Sequence, residues 1–165
     1  MVDDERDVAL ARAVRLREDG RREEARERLL DLAERYPGDA EVAYQTAWVH
    51  DTLGLEAEAV PFYERALAGR GLSDEDRLGA FHGLGSTYRV LGRYQDALKT
   101  FEQGLREFPG DRGLRAFQAM ALYNVGDARE AVAGLLKLLV EGEVVPQYSR
   151  AISYYADNLD ETVQR

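Results

Sequence analysis

Asp51, His82 and Ser86 are the side chains of this sequence whose types match an orienting carboxylate, a general base and a nucleophile. His82 and Ser86 lie four residues apart, so on a helix they share a face, and Asp51 would reach them from a neighbouring element. A hydrolase would also need an oxyanion hole and a sharply exposed serine. No glycine-flanked turn surrounds Ser86, and hydroxyls inside helices commonly bond their own backbone. The trio therefore stands as a remote hydrolase alternative, and the expectation is a chain that is not an enzyme and has no catalytic residues. With two histidines and no cysteine, the usual zinc ligands cannot be gathered, and the acids lack calcium-loop spacing. No metal and no cofactor are expected. His50 reads as a satisfied core histidine, while Gly83 and Gly85 read as close-packing positions inside a helix and not as a phosphate loop.

The elements that would position these residues follow from four glycines. Gly20, Gly54, Gly92 and Gly126 are 34, 38 and 34 residues apart, and each is followed five residues later by an alanine: Ala25, Ala59, Ala97 and Ala131. Between them the apolar spacing is helical. Phe81, Leu84, Gly85, Tyr88 and Leu91 recur at threes and fours before Gly92, and Tyr94, Ala97, Leu98, Phe101 and Leu105 resume after it. Each glycine thus serves a tight turn between two antiparallel helices. Small residues seven before the glycine (Ala13, Ala47, Gly85, Ala119) face the alanines five after it. Larger residues fill the space around them: Leu16, Tyr88 and Leu122 four before the glycine, and Leu29, Tyr63, Phe101 and Leu135 nine after it. Such arrays stack helix pairs into a solenoid.

Composition narrows the setting. Hydrophobic residues at 45% and charged residues at 32% fit one folded domain without a membrane span. The start, MVDDERDVAL, is acidic where a secretory signal would be basic, and the absence of cysteine fits a reducing compartment, so a cytoplasmic location is expected. A net charge of -9 argues against nucleic acid and anionic membranes as partners. Arg21, Arg22, Arg26 and Arg28 alternate with Glu23, Glu24 and Glu27, as on a solvated helix face.

Residues 78–109 resemble the tetratricopeptide repeat, with Leu84, Gly85, Tyr88, Gly92, Tyr94, Ala97, Phe101 and Pro109 in register. The first unit keeps Ala13, Gly20, Ala25 and Pro37; the second keeps Ala47, Gly54, Ala59, Tyr63 and Ala66, with Gly71 in place of proline. The resemblance spans about residues 5 to 142 and extends to small stand-alone bacterial proteins of this kind, some of them dimers. It implies an all-α, right-handed α-solenoid of about four helix-turn-helix repeats, read as a single domain over 1–165. The repeats fall at about 5–38, 39–73, 74–110 and 111–142, and a capping helix at about 146–162 carries Tyr148, Ile152, Tyr155 and Leu159 on its apolar stripe with Arg150, Asp157 and Asp160 outward. Four extra residues near Arg70 to Asp76 predict a loop in which Gly71 ends one helix and Ser73 with Asp76 caps the next. Pro61 is expected to bend its helix slightly. Arg115, Phe117 and Gln118 depart from the pattern, which predicts a rotated helix or one packed on something extra.

In such a stack the first helix of each pair lines the concave face, at positions ten, six and three before the glycine. These are Leu10, Val14 and Arg17; Tyr44, Trp48 and Asp51; His82, Ser86 and Arg89; Ala116, Met120 and Tyr123. Aromatic side chains with a few arginines predict a groove for a peptide or helix of a partner protein. The lysines and asparagines with which relatives capture chaperone tails are replaced here by Tyr44, Trp48, His82 and Ser86. The second reading is a homodimeric scaffold whose groove is partly self-filled. The register carries its own test. A large residue at Ala97 is expected to overpack the helix pair and cost about 1 to 3 kcal/mol in denaturant unfolding, whereas the same change at Gln103 is expected to be nearly neutral.

Overall fold

The computed structural model describes residues 2–144 and 146–157. Among them are nine α-helices and no strand: α1 (Val2–Glu18), α2 (Arg22–Arg35), α3 (Ala40–Thr52), α4 (Glu56–Ala68), α5 (Asp74–Val90), α6 (Tyr94–Glu107), α7 (Arg112–Asn124), α8 (Ala128–Glu141) and, after a 3-10 turn at Pro146–Tyr148, α9 (Ser149–Asp157). The chain is all-α and builds an α-solenoid of paired helices. It divides into two compact units, Met1–Gly92 and Arg93–Arg165.

The glycine ladder is visible in the backbone. Gly20, Gly54, Gly92 and Gly126 have φ of 81°, 71°, 75° and 91°, the left-handed region in which glycine alone is unstrained. The residue after the turn donates back across it, Arg21 N–H to Leu16 O at 2.9 Å, Leu55 to His50 at 3.0 Å and Asp127 to Leu122 at 2.9 Å. This is the six-to-one bond that ends a helix on a left-handed residue. Other boundaries come from side chains: Asp39, Ser73 and Asp111 accept from the backbone N–H three residues on, at 3.0, 3.1 and 2.7 Å. Asp39 also receives both the Nε and the second guanidinium N–H of Arg6, at 2.8 and 2.7 Å, which fastens α1 to the start of α3.

In the first unit Leu10, Ala13, Ala25, Leu29, Leu32, Ala33, Val42 and Val49 form one buried cluster across α1, α2 and α3. His50 is buried as expected. Its Nδ1–H donates to Thr46 O at 2.7 Å, its Nε2 accepts from Arg26 Nε at 3.2 Å, and its ring stacks on Phe62. The packing of α5 on α3 and on α4 depends on one glycine each. A Cβ at Gly79 would collide with the Tyr44 hydroxyl, and one at Gly83 would lie 2.7 Å from Cε1 of Tyr63. The Tyr63 hydroxyl donates to Asp51 at 2.6 Å, and the Thr87 hydroxyl donates to the other carboxylate oxygen at 2.9 Å, so one carboxylate joins α3, α4 and α5.

Some expectations are revised. α4 ends at Ala68, where Gly69 turns extended with its N–H still bonded to Arg65 O and with no room for a Cβ against Ala40; Gly71, at φ 101°, turns within the loop. As expected of a local cost and not a boundary, α4 continues through Pro61, which is exposed. In the second unit Phe117 stacks on Phe101 at 6.1 Å, and Arg115 pairs with Glu141 at the end of α8, which accounts for a polar residue at that position. Leu135 is exposed, not core-filling, and Tyr148 sits exposed in the 3-10 turn, off the helix it was assigned to. Leu159, Asp160 and the remainder of the expected cap lie outside the described residues, as do the side chains of Ile152 and Tyr155.

Two outcomes follow from these contacts. Gly83→Ala is expected to lower stability in urea melts, overpacking of about 1 to 3 kcal/mol outweighing a helix-propensity gain of up to about 1 kcal/mol. Gly134→Ala in α8, with nothing within 4 Å of the added Cβ, is expected to raise it. Burial raises the Asp51 carboxyl above the ordinary aspartate range despite the donors Tyr63 and Thr87. The folded chain then holds this proton where the unfolded chain has released it, so the stability from Asp51 is full below the ordinary range and is lost as pH rises through the raised value. Asp39 runs the other way: burial pushes it up, but Arg6 and the Val42 amide outweigh that and hold it low, so its contribution is lost as pH falls. Asp51→Asn is therefore expected to gain on the parent as pH rises through the acid range; a constant offset between the two melting series would contradict the shift.

Candidate functional site

Trp48 projects from α3 because Ala47 and His50 take the buried sides of that helix and leave position 48 on its open face. The residue is 40% exposed, although the residues that hold it are buried. The Arg17 guanidinium carbon lies 3.7 Å from the ring centroid, and Tyr44 packs at 5.7 Å on the same helix. Arg17 itself is only 8% exposed; it donates to the side-chain oxygen of Gln45, and burial pulls it below its ordinary value. Tyr44 packs in turn on Tyr63 at 6.4 Å, and burial pushes its hydroxyl up to about 12, so it stays protonated near neutral pH.

These side chains border an open pocket of about 420 Å³, lined by Trp48, Asp51, Thr52, His82 and Ser86 with Tyr44, Tyr63, Gly79 and Gly83 as its floor. The pocket exists because the α5 glycines let the two tyrosines lie against the helix backbone, leaving the space above their rings open. Five residues of the predicted stripe, Tyr44, Trp48, Asp51, His82 and Ser86, are thus brought together. Leu10 and Arg17 are not surface residues: Leu10 belongs to the α1–α2–α3 core, and Arg17 lies beneath Trp48. Val14 is half-buried, and Arg89 is half-buried with its Nε lacking a hydrogen-bond partner. In the second unit α7 carries Ala116, half-buried, and the exposed Met120 and Tyr123.

The geometry recasts the chemical trio. Both carboxylate oxygens of Asp51 accept from Tyr63 and Thr87, which makes the carboxylate a strut between three helices and not an orienter waiting for an imidazole. Gln45, Gly79 and Thr87 matter to the site without having been singled out from sequence. Gly79 had a readable signal, since Gly79 and Gly83 are one helical turn apart in an otherwise regular helix. Among the described residues no group of three or more His, Asp and Glu side chains is placed to hold a metal ion, and no helix is long and apolar enough to cross a membrane.

Known proteins supply a frame for this geometry. The sequence profile described as Tetratrico peptide repeat matches residues 40–159. Among solved structures, a MamA protein has a TM-score of 0.73 at 18% identity, covering 97% of this chain and 79% of that one. The nearly identical TPR-like repeats assigned to a kinesin light chain of Podosopora anserina give 0.69 at 20% identity, covering 93% and 87%. A MamA mutant gives 0.69 at 20% identity over 81% and 75%. At such identities the likeness is one of fold. No curated protein matches the chain. The α1–α2 pair precedes the matched residues but keeps the same glycine, alanine and turn bond, so the repeat is continuous with it. With the profile covering most of the sequence and the helix pairs in register, the chain belongs to the tetratricopeptide repeat family.

Proposed function

We propose that this protein is a non-enzymatic interaction module that takes a peptide or helix of a partner protein into the pocket around Trp48. The observation that carries the reading is a large, half-exposed indole held by Arg17 and Tyr44 at the edge of an open pocket of about 420 Å³, room for a bulky side chain and part of its neighbours. Aromatic anchors of this kind dominate binding energy when their own rotamers are already fixed, because little side-chain entropy remains to be lost on association. His82, Ser86 and Thr52 offer a few hydrogen-bonding groups around an otherwise apolar floor, the lining that orients an inserted side chain. An amphipathic helix or an extended segment with an aromatic or large apolar anchor matches that lining. Met120 and Tyr123 on α7 are proposed as further contact residues of the same chemistry. The net charge of -9 sets the reading apart from nucleic-acid binding.

Affinity capture from the lysate of the source cells, read by mass spectrometry, tests the module. Trp48→Ala is expected to lose the partners that the parent retains, by about tenfold or more in affinity for a residue worth at least 2 kcal/mol, with unchanged helical circular dichroism. Retention of the same partners at the same strength by both Trp48→Ala and Tyr123→Ala would refute the groove. Trp48 is the chain's one tryptophan, so a captured peptide can then be titrated by its fluorescence.

A further inference from the structure

Within the array each first helix packs on the second helix of the pair before it. Thr46 of α3 lies 3.4 Å from Leu29 O of α2, Arg77 of α5 donates to Leu67 O of α4, and Phe117 of α7 stacks on Phe101 of α6. No described helix precedes α1. One repeat before Thr46, Val49, His50 and Leu53 stand Arg12, Arg15, Leu16 and Asp19, which together with α2 border an open cleft of about 680 Å³. On α1 the walls recur as Ala9, Arg12, Leu16 and Asp19, and on α2 as Arg21, Glu24, Arg28 and Arg35, steps of three, four and seven residues that give each helix one continuous stripe. Two antiparallel stripes of this kind hold a third helix in the groove between them. From Arg21 to Arg35 the groove runs along about 21 Å of helix axis, the length of about four turns. Half-buried Ala9 and Leu16 with buried Leu32 give it an apolar floor.

The charge of this cleft is opposite to that of the chain. Five guanidinium groups face three carboxylates, Asp19, Glu24 and Asp31, in a chain of net charge -9. Arg21 already holds both oxygens of Glu24, and Arg35 lies 3.9 Å from Asp31 and donates to Glu5. Arg12, Arg15 and Arg28 have no hydrogen-bonded or ion-paired partner among the described residues, and Arg28 feels Glu24 only through space. Asp7, Glu18, Glu23, Glu27 and Glu34 of the same helices lie outside the cleft and do not neutralise it. A polar end face keeps a repeat array in solution with charge of either sign, so the excess of arginine calls for a separate cause.

We propose that the cleft between α1 and α2 binds an acidic amphipathic helix of a partner protein, at a site that shares no lining residue with the Trp48 pocket. A helix places each side chain separately, so its carboxylates can meet Arg12, Arg15 and Arg28 while its apolar residues cover Ala9, Leu16 and Leu32. A nucleic acid cannot do this, because its evenly spaced phosphates would also meet Asp19, Glu24 and Asp31. A lipid surface is too flat to enter a groove between two helices.

A photoreactive benzoylphenylalanine in place of Asp19, in the whole chain, tests the site. Irradiated in lysate of the source cells, it is expected to cross-link to one protein through a helix whose acids recur at three and four residues. The synthetic peptide of that helix is then titrated against the whole chain by fluorescence anisotropy. Its affinity is expected to fall as salt rises and to drop at least about tenfold on Arg12→Glu or Arg28→Glu, with unchanged circular dichroism. Changing the facing peptide carboxylate to lysine is expected to restore binding to the charge-reversed chain, and Trp48→Ala is expected to leave the affinity unaltered. The proposal is overturned if no protein is cross-linked, or if the cross-link reaches only nucleic acid, lipid or a second copy of this chain. A cross-linked segment without net negative charge, or charge reversals that leave the affinity unchanged, overturns it as well. Binding lost on Trp48→Ala but kept by both arginine variants overturns it and assigns the peptide to the pocket.

Discussion

The structure depends on how closely the two helices of each pair can approach. Ala13, Ala47 and Ala119 on first helices and Ala25, Ala59, Ala97 and Ala131 on second helices are buried to within a few per cent, and nothing larger than a methyl group would leave the backbones at that distance. The glycine turn closes the same pair from its end, because only a left-handed residue lets the chain reverse within two or three residues and still satisfy the last carbonyl. With spacing and turn both set, the rotation of every helix about its own axis is set as well. Which side chains face the neighbour and which face outward then follows by counting from the glycine.

The pocket is a consequence of that fixed rotation, combined with one local exception to it. At Gly79 and Gly83, α5 gives up side-chain volume, and Tyr44 and Tyr63 fill the notch. A tyrosine placed there carries its hydroxyl into a partly desolvated space, where it needs an acceptor. Asp51 meets that need for Tyr63 and for Thr87 at once, so the polar atoms are satisfied by each other and the walls of the pocket are cross-linked by hydrogen bonds. The network has an electrostatic cost, seen in the raised Asp51 carboxyl and in the raised Tyr63 hydroxyl, both driven first by burial. Its return is rigidity at the place where an inserted side chain would otherwise have to order the protein.

The fold was legible because it repeats: four glycine–alanine pairs at nearly constant spacing specify helix, turn and packing face without reference to anything distant in sequence. The capping of α5 by Ser73 and the burial of His50 were readable for the same reason, since each is decided within one turn of helix or by its repeat position. The site was legible only as a stripe. Counting places Arg17 and Trp48 on one face, but whether Arg17 stands beside the indole or beneath it depends on which neighbour offers an acceptor, and that is Gln45, 28 residues away. Leu10 was placed in the groove by the same rule and sits in the core with Ala13, Leu29 and Val42, as its counterpart Tyr44 is also buried. The tail of the array escaped counting altogether. α9 is not a repeat, so the ladder carries no information about the side of α8 on which it lies.

Arg17 shows how little room the pocket has for adjustment. A guanidinium loses favourable hydration when buried, and in this chain its donors meet a neutral amide and an aromatic face in place of a carboxylate. The ring quadrupole and one charge-assisted hydrogen bond return about 2 kcal/mol each in such surroundings, and burial still pulls the group below its ordinary value. The arrangement persists because the alternatives are worse. Swinging Arg17 out to water would leave the Gln45 oxygen without its donor and open a void under the indole, so the desolvation relieved at one group would reappear at two others. The cation therefore holds Trp48 in one orientation, and an incoming side chain meets an indole whose position is already decided.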